Sequence, residues 1–363
     1  MNKAYKFRIY PSKEQRELIG KTFGCARFVY NKMLCEKMEH YKETGKSLKI
    51  TPAKYKSEYE FLKEVDSLAL ANEQLNLEKA YKYFFRDKRI GFPKFKSKHK
   101  DKKSYTTNCV NGNIRMENKT IVLPKLGKMR IKQHRVVPSN YKLKSCTVSQ
   151  TPTGKYFVSI LFEYEGDIQP IEIKSIVGLD FSMQELYISS DEEYANYPRY
   201  FRCSLGKLKK AQRKLSKMKQ GSNSYYRQKR RVAKIYEKIA NQRKDFLHKK
   251  SQQITNVYDL VAIEDLNMKA MQQALNYGKS VSDNSWGMFT SFLSYKLSER
   301  GKQLVKIDKW FASSKMCSEC GEKKKALSLS ERTYICDCGN ILGRDINAAI
   351  NIKNESMKML GTA

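Results

Sequence analysis

The segment IEIKSIVGLDFSMQELYISSD, residues 171–191, decides the fold. It reads as an apolar strand ending in Asp180, then a turn, then a second strand. Further along, YDLVAIEDLN is a buried strand reaching Glu264, DNSWGMFTSFLSYKLSERG is an amphipathic helix stopped by Gly301, and KQLVKIDKW is another strand. Last comes ILGRDINAAINIKN, residues 341–354, in which Asp345 opens a helix lined with small residues.

Strands at 175–180, 186–190 and 259–264, a helix at 284–299, a strand at 302–308 and a helix at 345–353 fit the ribonuclease H topology. Singly, Asp180, Glu264 and Asp345 have ordinary explanations, because acids commonly end strands and cap helices. In that fold, as a set, they converge on one end of the sheet. Converging carboxylates repel, and they ionise together only with cations between them. Two divalent ions, Mg2+ or Mn2+, about 3.5 to 4 Å apart would provide this, and would activate water and stabilise the leaving oxygen in phosphodiester hydrolysis. Ala348 and Ala349 would let the last helix come close enough for Asp345 to join. Asp265 points to the opposite face of its strand.

Around this frame the chain is strongly basic: 71 Lys and Arg face 37 Asp and Glu over 363 residues, a net charge of +34. Such an excess draws polyanions, nucleic acid first, with a solvated basic surface as the plainer reading and a membrane surface behind both. The stretch 204–250 holds seventeen Lys or Arg against two acids, broken near 221–224. Its apolar positions, Leu205, Leu208, Leu215, Met218, Val232, Ile235 and Ile239, would seat one face on protein and leave the basic face for phosphates. No apolar run approaches the roughly 18 residues of a spanning helix, and the start MNKAYKFRIYPSKEQ lacks an apolar signal core, so a cytoplasmic location is expected.

Nine cysteines in a reducing compartment argue against a disulfide framework, and four of them cluster. Cys317, Cys320, Cys336 and Cys338 form CSEC, then a short interval, then CDC, two thiolate pairs able to complete a closed tetrahedral shell for one structural Zn2+. Cys25, Cys35, Cys109, Cys146 and Cys203 are scattered and pack as small hydrophobes.

Toward the amino terminus, KAYKFRIYP is a strand, and Ser12 with Gln15 forms a capping box ahead of a helix running to Gly45. That helix puts Leu18, Ile19, Phe23, Ala26, Val29, Tyr30, Met33 and Leu34 on one face. A second helical block over 66–87 would turn Leu68, Leu70, Leu75, Leu77, Tyr81, Phe84 and Phe85 to a core. KRIGFPKFKSKHKDKKS, 88–104, mixes cations with Phe92 and Phe95; composition alone fits a nucleic-acid contact and a solvated loop equally. From 105 to 165, short alternating stretches separated by turn residues predict hairpins of a small barrel, which the first strand would join.

As a whole the sequence resembles the TnpB family, transposon-encoded RNA-guided nucleases related to type V CRISPR effectors. The resemblance is carried by KAYKFRIYPSKEQ, GFPKFKSK, VGLDFSMQELYISSD, VAIEDLNMKAM, GRDINAAINI and CSECG to CDCGN, with ANYPRYFR and DNSWGMF also in the family's style. It implies a multi-domain α+β protein: a RuvC-like ribonuclease H fold at 169–314 and 341–363 with a zinc ribbon at 315–340, a β-barrel wedge domain split between 1–10 and 104–168, and a helical recognition lobe at 11–103. It further implies that Asp180, Glu264 and Asp345 are the catalytic acids, that Arg332 and Tyr334 lie near the cleaved strand with Arg332 in a catalytic role, and that the partners are a guide RNA from the transposon end and double-stranded target DNA, one protein per RNA. One departure is Gly343, where family members often carry an acid. Two other readings remain: an RNA-guided repressor that no longer cuts, and a DNA transposase. Against the transposase stand the isolated His40, His99, His134 and His248 and the acid order Asp, Glu, Asp.

Overall fold

The computed structural model describes residues 1–274, 278–328 and 330–361. The chain divides into two compact units, Met1–Gly166 and Asp167–Ala363.

In the first unit, strand β1 (Asn2–Tyr10) runs into helix α1 (Lys13–Thr44). The Ser12–Gln15 capping box is formed, and Gly45 closes the helix in the left-handed conformation (φ 67°) that a side chain would resist. The short helix α2 (Tyr55–Glu58) and helix α3 (Ser67–Arg86) follow, with Asp66 capping α3. Seven residues of the predicted α1 face, Ile19, Phe23, Ala26, Val29, Tyr30, Met33 and Leu34, are buried. The α3 expectation needs correcting: its buried face is Ala69, Leu70, Asn72, Glu73 and Leu77, whereas Leu75 and Phe85 are exposed. Both are rotated off the Leu70–Leu77 line, so apolar type alone misassigned them.

Strands β2 (Lys103–Asn108), β3 (Arg115–Glu117), β4 (Thr120–Leu123), β5 (Gly127–Lys132), β6 (Lys142–Gln150) and β7 (Tyr156–Glu163) join β1 in one sheet, ordered β2-β6-β7-β1-β5-β4-β3. β1 lies inside it, antiparallel to both β7 and β5. The small barrel expected is here a half-barrel, because its two end strands pair only inward and β3 has three residues to offer. One core holds the sheet's Phe7, Ile121, Val148 and Ile160 together with Ile19, Phe23 and Ala26 of α1. A second core, with Met33, Leu34, Tyr55 and Leu70, lies among the helices.

The second unit is built on β8 (Ile176–Ser182), β9 (Leu186–Ser189), β10 (Leu260–Glu264) and β11 (Gln303–Ile307), ordered β11-β10-β8-β9. β8, β10 and β11 are parallel and β9 runs antiparallel to β8. Helices α4 (Tyr200–Ser216) and α5 (Asn223–Val257) are separated at the predicted break, and Leu208, Val232 and Ile239 are buried. After α6 (Met268–Ala274) comes α7 (Gly278–Asn284), and α8 (Trp286–Ser298) then stands where the helix over 284–299 was expected, so that α7 and α8 are two separate helices. Ser285 interrupts them in the left-handed region (φ 58°), and the Asp283 carboxylate accepts N–H groups from Phe201 and Arg202 at the start of α4. The hairpin of β12 (Thr333–Ile335) and β13 (Ile341–Gly343) leads into α9 (Arg344–Met359).

Val177, Leu179, Val261 and Ile263 face Leu247 of α5 and Phe289 and Leu293 of α8. Leu260, Ala262 and Ile307 face Ile352 of α9. Among the described residues no helix is long and apolar enough to cross a membrane.

Candidate functional site

Side chains alternate along a strand, and this decides where the acids go. With Val177 and Leu179 committed to the α5–α8 face, Gly178 and Asp180 turn to the α9 face; with Val261 and Ile263 committed likewise, Glu264 shares that face. Ala262 is paired with Gly178 and Ile263 with Leu179. Asp180 and Glu264 therefore occupy the next positions, side by side on neighbouring strands. α9 covers this face closely: a Cβ on Gly178 would stand 2.1 Å from the carbonyl oxygen of Ala349 and 2.7 Å from the nitrogen of Lys353. Asp345 lies in the first turn of α9, one turn before Ala348 and Ala349.

Asp180 responds to the other two acids. Burial, then Glu264, then Asp345 raise Asp180 well above the usual carboxylate range, against the opposing pull of Arg344 and the Phe181 N–H. Glu264 is also raised by burial, partly offset by Ser313, whose Oγ donates to its Oε1 at 2.5 Å. Asp265, as expected, points away: it is exposed and pairs with Lys306 at 2.9 Å. Among the described residues the four cysteines alone draw ligand atoms within 4.8 Å of one another, so the carboxylates are not gathered that tightly. Hard oxygen donors on one face, one of them raised by its neighbours' charge, nevertheless make a set suited to a divalent cation.

The cysteine cluster has a different character. Cys317 and Cys338 are 3.7 Å apart between Sγ atoms, and Cys320 and Cys336 3.6 Å. Sulfurs at the corners of a tetrahedron with zinc bonds of about 2.3 Å stand about 3.8 Å apart, so the spacing fits that ion. Burial opposes ionisation of Cys317, but donors led by the Asn340 amide bring it down to about 6. The Glu322 N–H lowers Cys320, yet the Cys338 thiol, burial and the remaining thiols push it up to about 12.

Two asparagines couple this cluster to α9. Asn347 donates to the Met316 carbonyl at 2.7 Å and accepts the Ser318 N–H at 2.9 Å. Asn351 donates to the carbonyls of Ser313 and Met316. The carbonyl of Arg332, an exposed residue, accepts the Arg344 N–H at 2.8 Å, which sets Arg332 beside the turn carrying Asp345. Tyr334 is fully buried under the cysteines and donates to the Lys315 carbonyl.

Sequence reasoning passed over Ser313 and Arg344. Arg344 donates to the Ser328 and Glu331 carbonyls while its buried Nε has no partner. Nothing marks Ser313 among the many serines; Arg344 was hidden by the abundance of cations, though its place beside Asp345 was a usable signal.

Family models match three segments: a helix-turn-helix domain over residues 1–46, a "Probable transposase" over 159–275, and a "Cas12f1-like, TNB domain" over 286–352. Residues 2–44 here form one strand and one continuous helix. A protein of Streptomyces pristinaespiralis named "Putative RNA-guided DNA endonuclease" is 34% identical, over 97% of this chain and 89% of its own. "Putative RNA-guided DNA endonuclease InsQ" of Escherichia coli K12 is 31% identical, over 96% of this chain and 91% of its own. A chain in the cryo-EM structure of the Cas12f1-sgRNA-target DNA complex matches in fold, with a TM-score of 0.60 at 12% identity, over 98% of this chain and 99% of that one. With such identity along nearly the whole of both curated relatives, the protein belongs to the TnpB family.

Proposed function

We propose that the chain is an RNA-guided DNA endonuclease that hydrolyses guide-matched DNA at a RuvC-like site formed by Asp180, Glu264 and Asp345. The observation that carries this is the electrostatic one: two acids on neighbouring strands share the face covered by α9, with Asp180 raised by burial, then by Glu264 and Asp345. These three residues would hold Mg2+ or Mn2+. When bound, the ions supply the charge that lets the acids ionise together, the acidity that readies a water, and stabilisation of the leaving oxygen.

The chain's own groups divide the remaining work. Ser313 orients Glu264 through its hydrogen bond. Arg344 sets a fixed cation beside Asp180, and Arg332, exposed next to it, meets the phosphates of the strand. The four cysteines hold one structural Zn2+, and Asn347 and Asn351 make the zinc segment and the helix of Asp345 move as one piece. The basic faces of α4 and α5 grip RNA through its backbone, leaving most sequence discrimination to guide pairing.

On this reading residues 1–10 and 104–168 form the wedge, 11–103 the recognition lobe, 169–314 and 341–363 the nuclease domain and 315–340 the zinc module. One protein acts with one guide RNA derived from the transposon end. The test is to sequence the copurifying RNA and present duplex DNA matching it. With Mg2+ the wild type should cut, and Asp180→Ala should bind without cutting. Matched DNA bound yet left intact in Mg2+ and Mn2+ would identify a repressor; joined transposon ends formed without RNA would identify a transposase.

A further inference from the structure

We propose that Trp310 is a stacking platform for a base of the single strand entering the Asp180–Glu264–Asp345 site, with Lys309 meeting the adjoining phosphate; this rests on the nuclease reading above. The chain has two tryptophans. Trp286 is 3% exposed, within the core between sheet and helices. Trp310 is 81% exposed, the most open aromatic side chain among the described residues, and the Lys309 ammonium stands 5.0 Å from its ring. Single exposed apolar residues are common and need no explanation. What sets this one apart is its mounting.

The loop bearing it leaves from Glu264 and returns to it. Ile307, the last residue of β11, is the strand partner of Glu264, and its carbonyl accepts the Asp265 N–H. Ser313, at the other end, donates to the Glu264 carboxylate. Between these anchors the backbone is tied: Asp308 accepts the Trp310 N–H on its carboxylate at 2.7 Å and the Phe311 N–H on its carbonyl at 3.1 Å, and Phe311 in turn accepts the Ser313 N–H. Phe311 packs inward against the α9-side core. Trp310 is three residues from either anchor, which keeps its Cα within about 11 Å of both. A rigid turn thus presents a bare indole and a cation within one or two nucleotides of the proposed site of cutting.

Stacking suits this arrangement because every base has an apolar face, so the grip works on any sequence the guide selects. A cation next to an aromatic ring matches the alternation of phosphate and base along a single strand. A double helix hides its base faces, so the platform would engage only DNA already opened by guide pairing.

The test uses the full-length, RNA-bound protein. Trp310→Ala should cut guide-matched duplex about tenfold more slowly under single-turnover conditions, with duplex affinity within about twofold of wild type, and Trp310→Phe should recover most of the rate. In an Asp180→Ala background, tryptophan emission should be quenched on adding matched duplex, and Trp310→Phe in that background should lose the quenching because Trp286 is shielded. Wild-type cutting by Trp310→Ala together with unquenched emission overturns the stacking role while leaving the nuclease standing. Self-association of the wild type that Trp310→Ala abolishes would assign the indole to a protein interface and also overturn it. Should the wild type not cut at all, the nuclease reading falls, and the quenching by itself decides whether Trp310 meets DNA.

Discussion

The hydroxyl of Ser313 donates a 2.5 Å hydrogen bond to Oε1 of Glu264, joining the loop that follows β11 to the end of β10. The bond fixes one carboxylate oxygen and leaves the other available to a cation. Ser313→Ala should lower the cleavage rate about tenfold, consistent with a hydrogen bond to a charged group worth about 1.5 kcal/mol, while RNA and target binding stay unchanged. Single-turnover cleavage alongside a gel-shift titration separates the two effects; weakened binding with an intact rate would contradict the assigned role.

Asp180 should cost the metal-free protein stability. An acid raised on folding binds more protons folded than unfolded, so its contribution favours the folded state at low pH and is lost as pH rises from the ordinary carboxylate range through the raised value. Asp180→Asn should therefore melt higher than wild type at neutral pH without Mg2+, by roughly 2–4 °C for each kcal/mol of repulsion relieved. The difference should shrink toward about pH 4. Mg2+ should raise the wild-type Tm and leave that of Asp180→Asn nearly unmoved.

Gly178→Ala would drive a methyl group into the backbone of α9 at Ala349 and Lys353. Backbone cannot swing aside as a side chain can, so the helix must shift or the fold must loosen, at about 1–3 kcal/mol or more. Cleavage should fall by at least about a hundredfold even at temperatures where the variant stays folded, because Asp345 rides on the displaced helix. Calorimetry and cleavage on the same sample check this, and an active variant with the wild-type Tm would refute the close packing.

For the cysteine cluster, one equivalent of zinc is expected by elemental analysis. Cys317→Ser should lose it together with solubility, whereas Cys35→Ser, away from the cluster, should keep both. Folded, soluble protein free of metal would rule out the structural ion.

Much of this was legible in the residues because local rules and tertiary demands agree. The Ser12–Gln15 box, the apolar face of α1, the break between α4 and α5 and the strands bearing Asp180 and Glu264 all follow from capping chemistry or periodicity. Where the two part, sequence reasoning slipped. Leu75 and Phe85 are apolar yet exposed, because burial depends on angular position more than on residue type. The helix expected over 284–299 begins two residues later, at Trp286, because Ser285 sits in the left-handed region beside Asp283, which is engaged in a long-range cap on α4 that spacing does not reveal. Ser313 meets Glu264 across 49 positions of sequence, and no local pattern encodes such a meeting.

The dependence of the Asp180 face on α9 sets a timetable for synthesis. A ribosome that has made both acid-bearing strands has still not made the helix that covers Gly178 and delivers Asp345. A nascent chain stalled before residue 344 holds two of the three acids on a face that α9 has not yet covered.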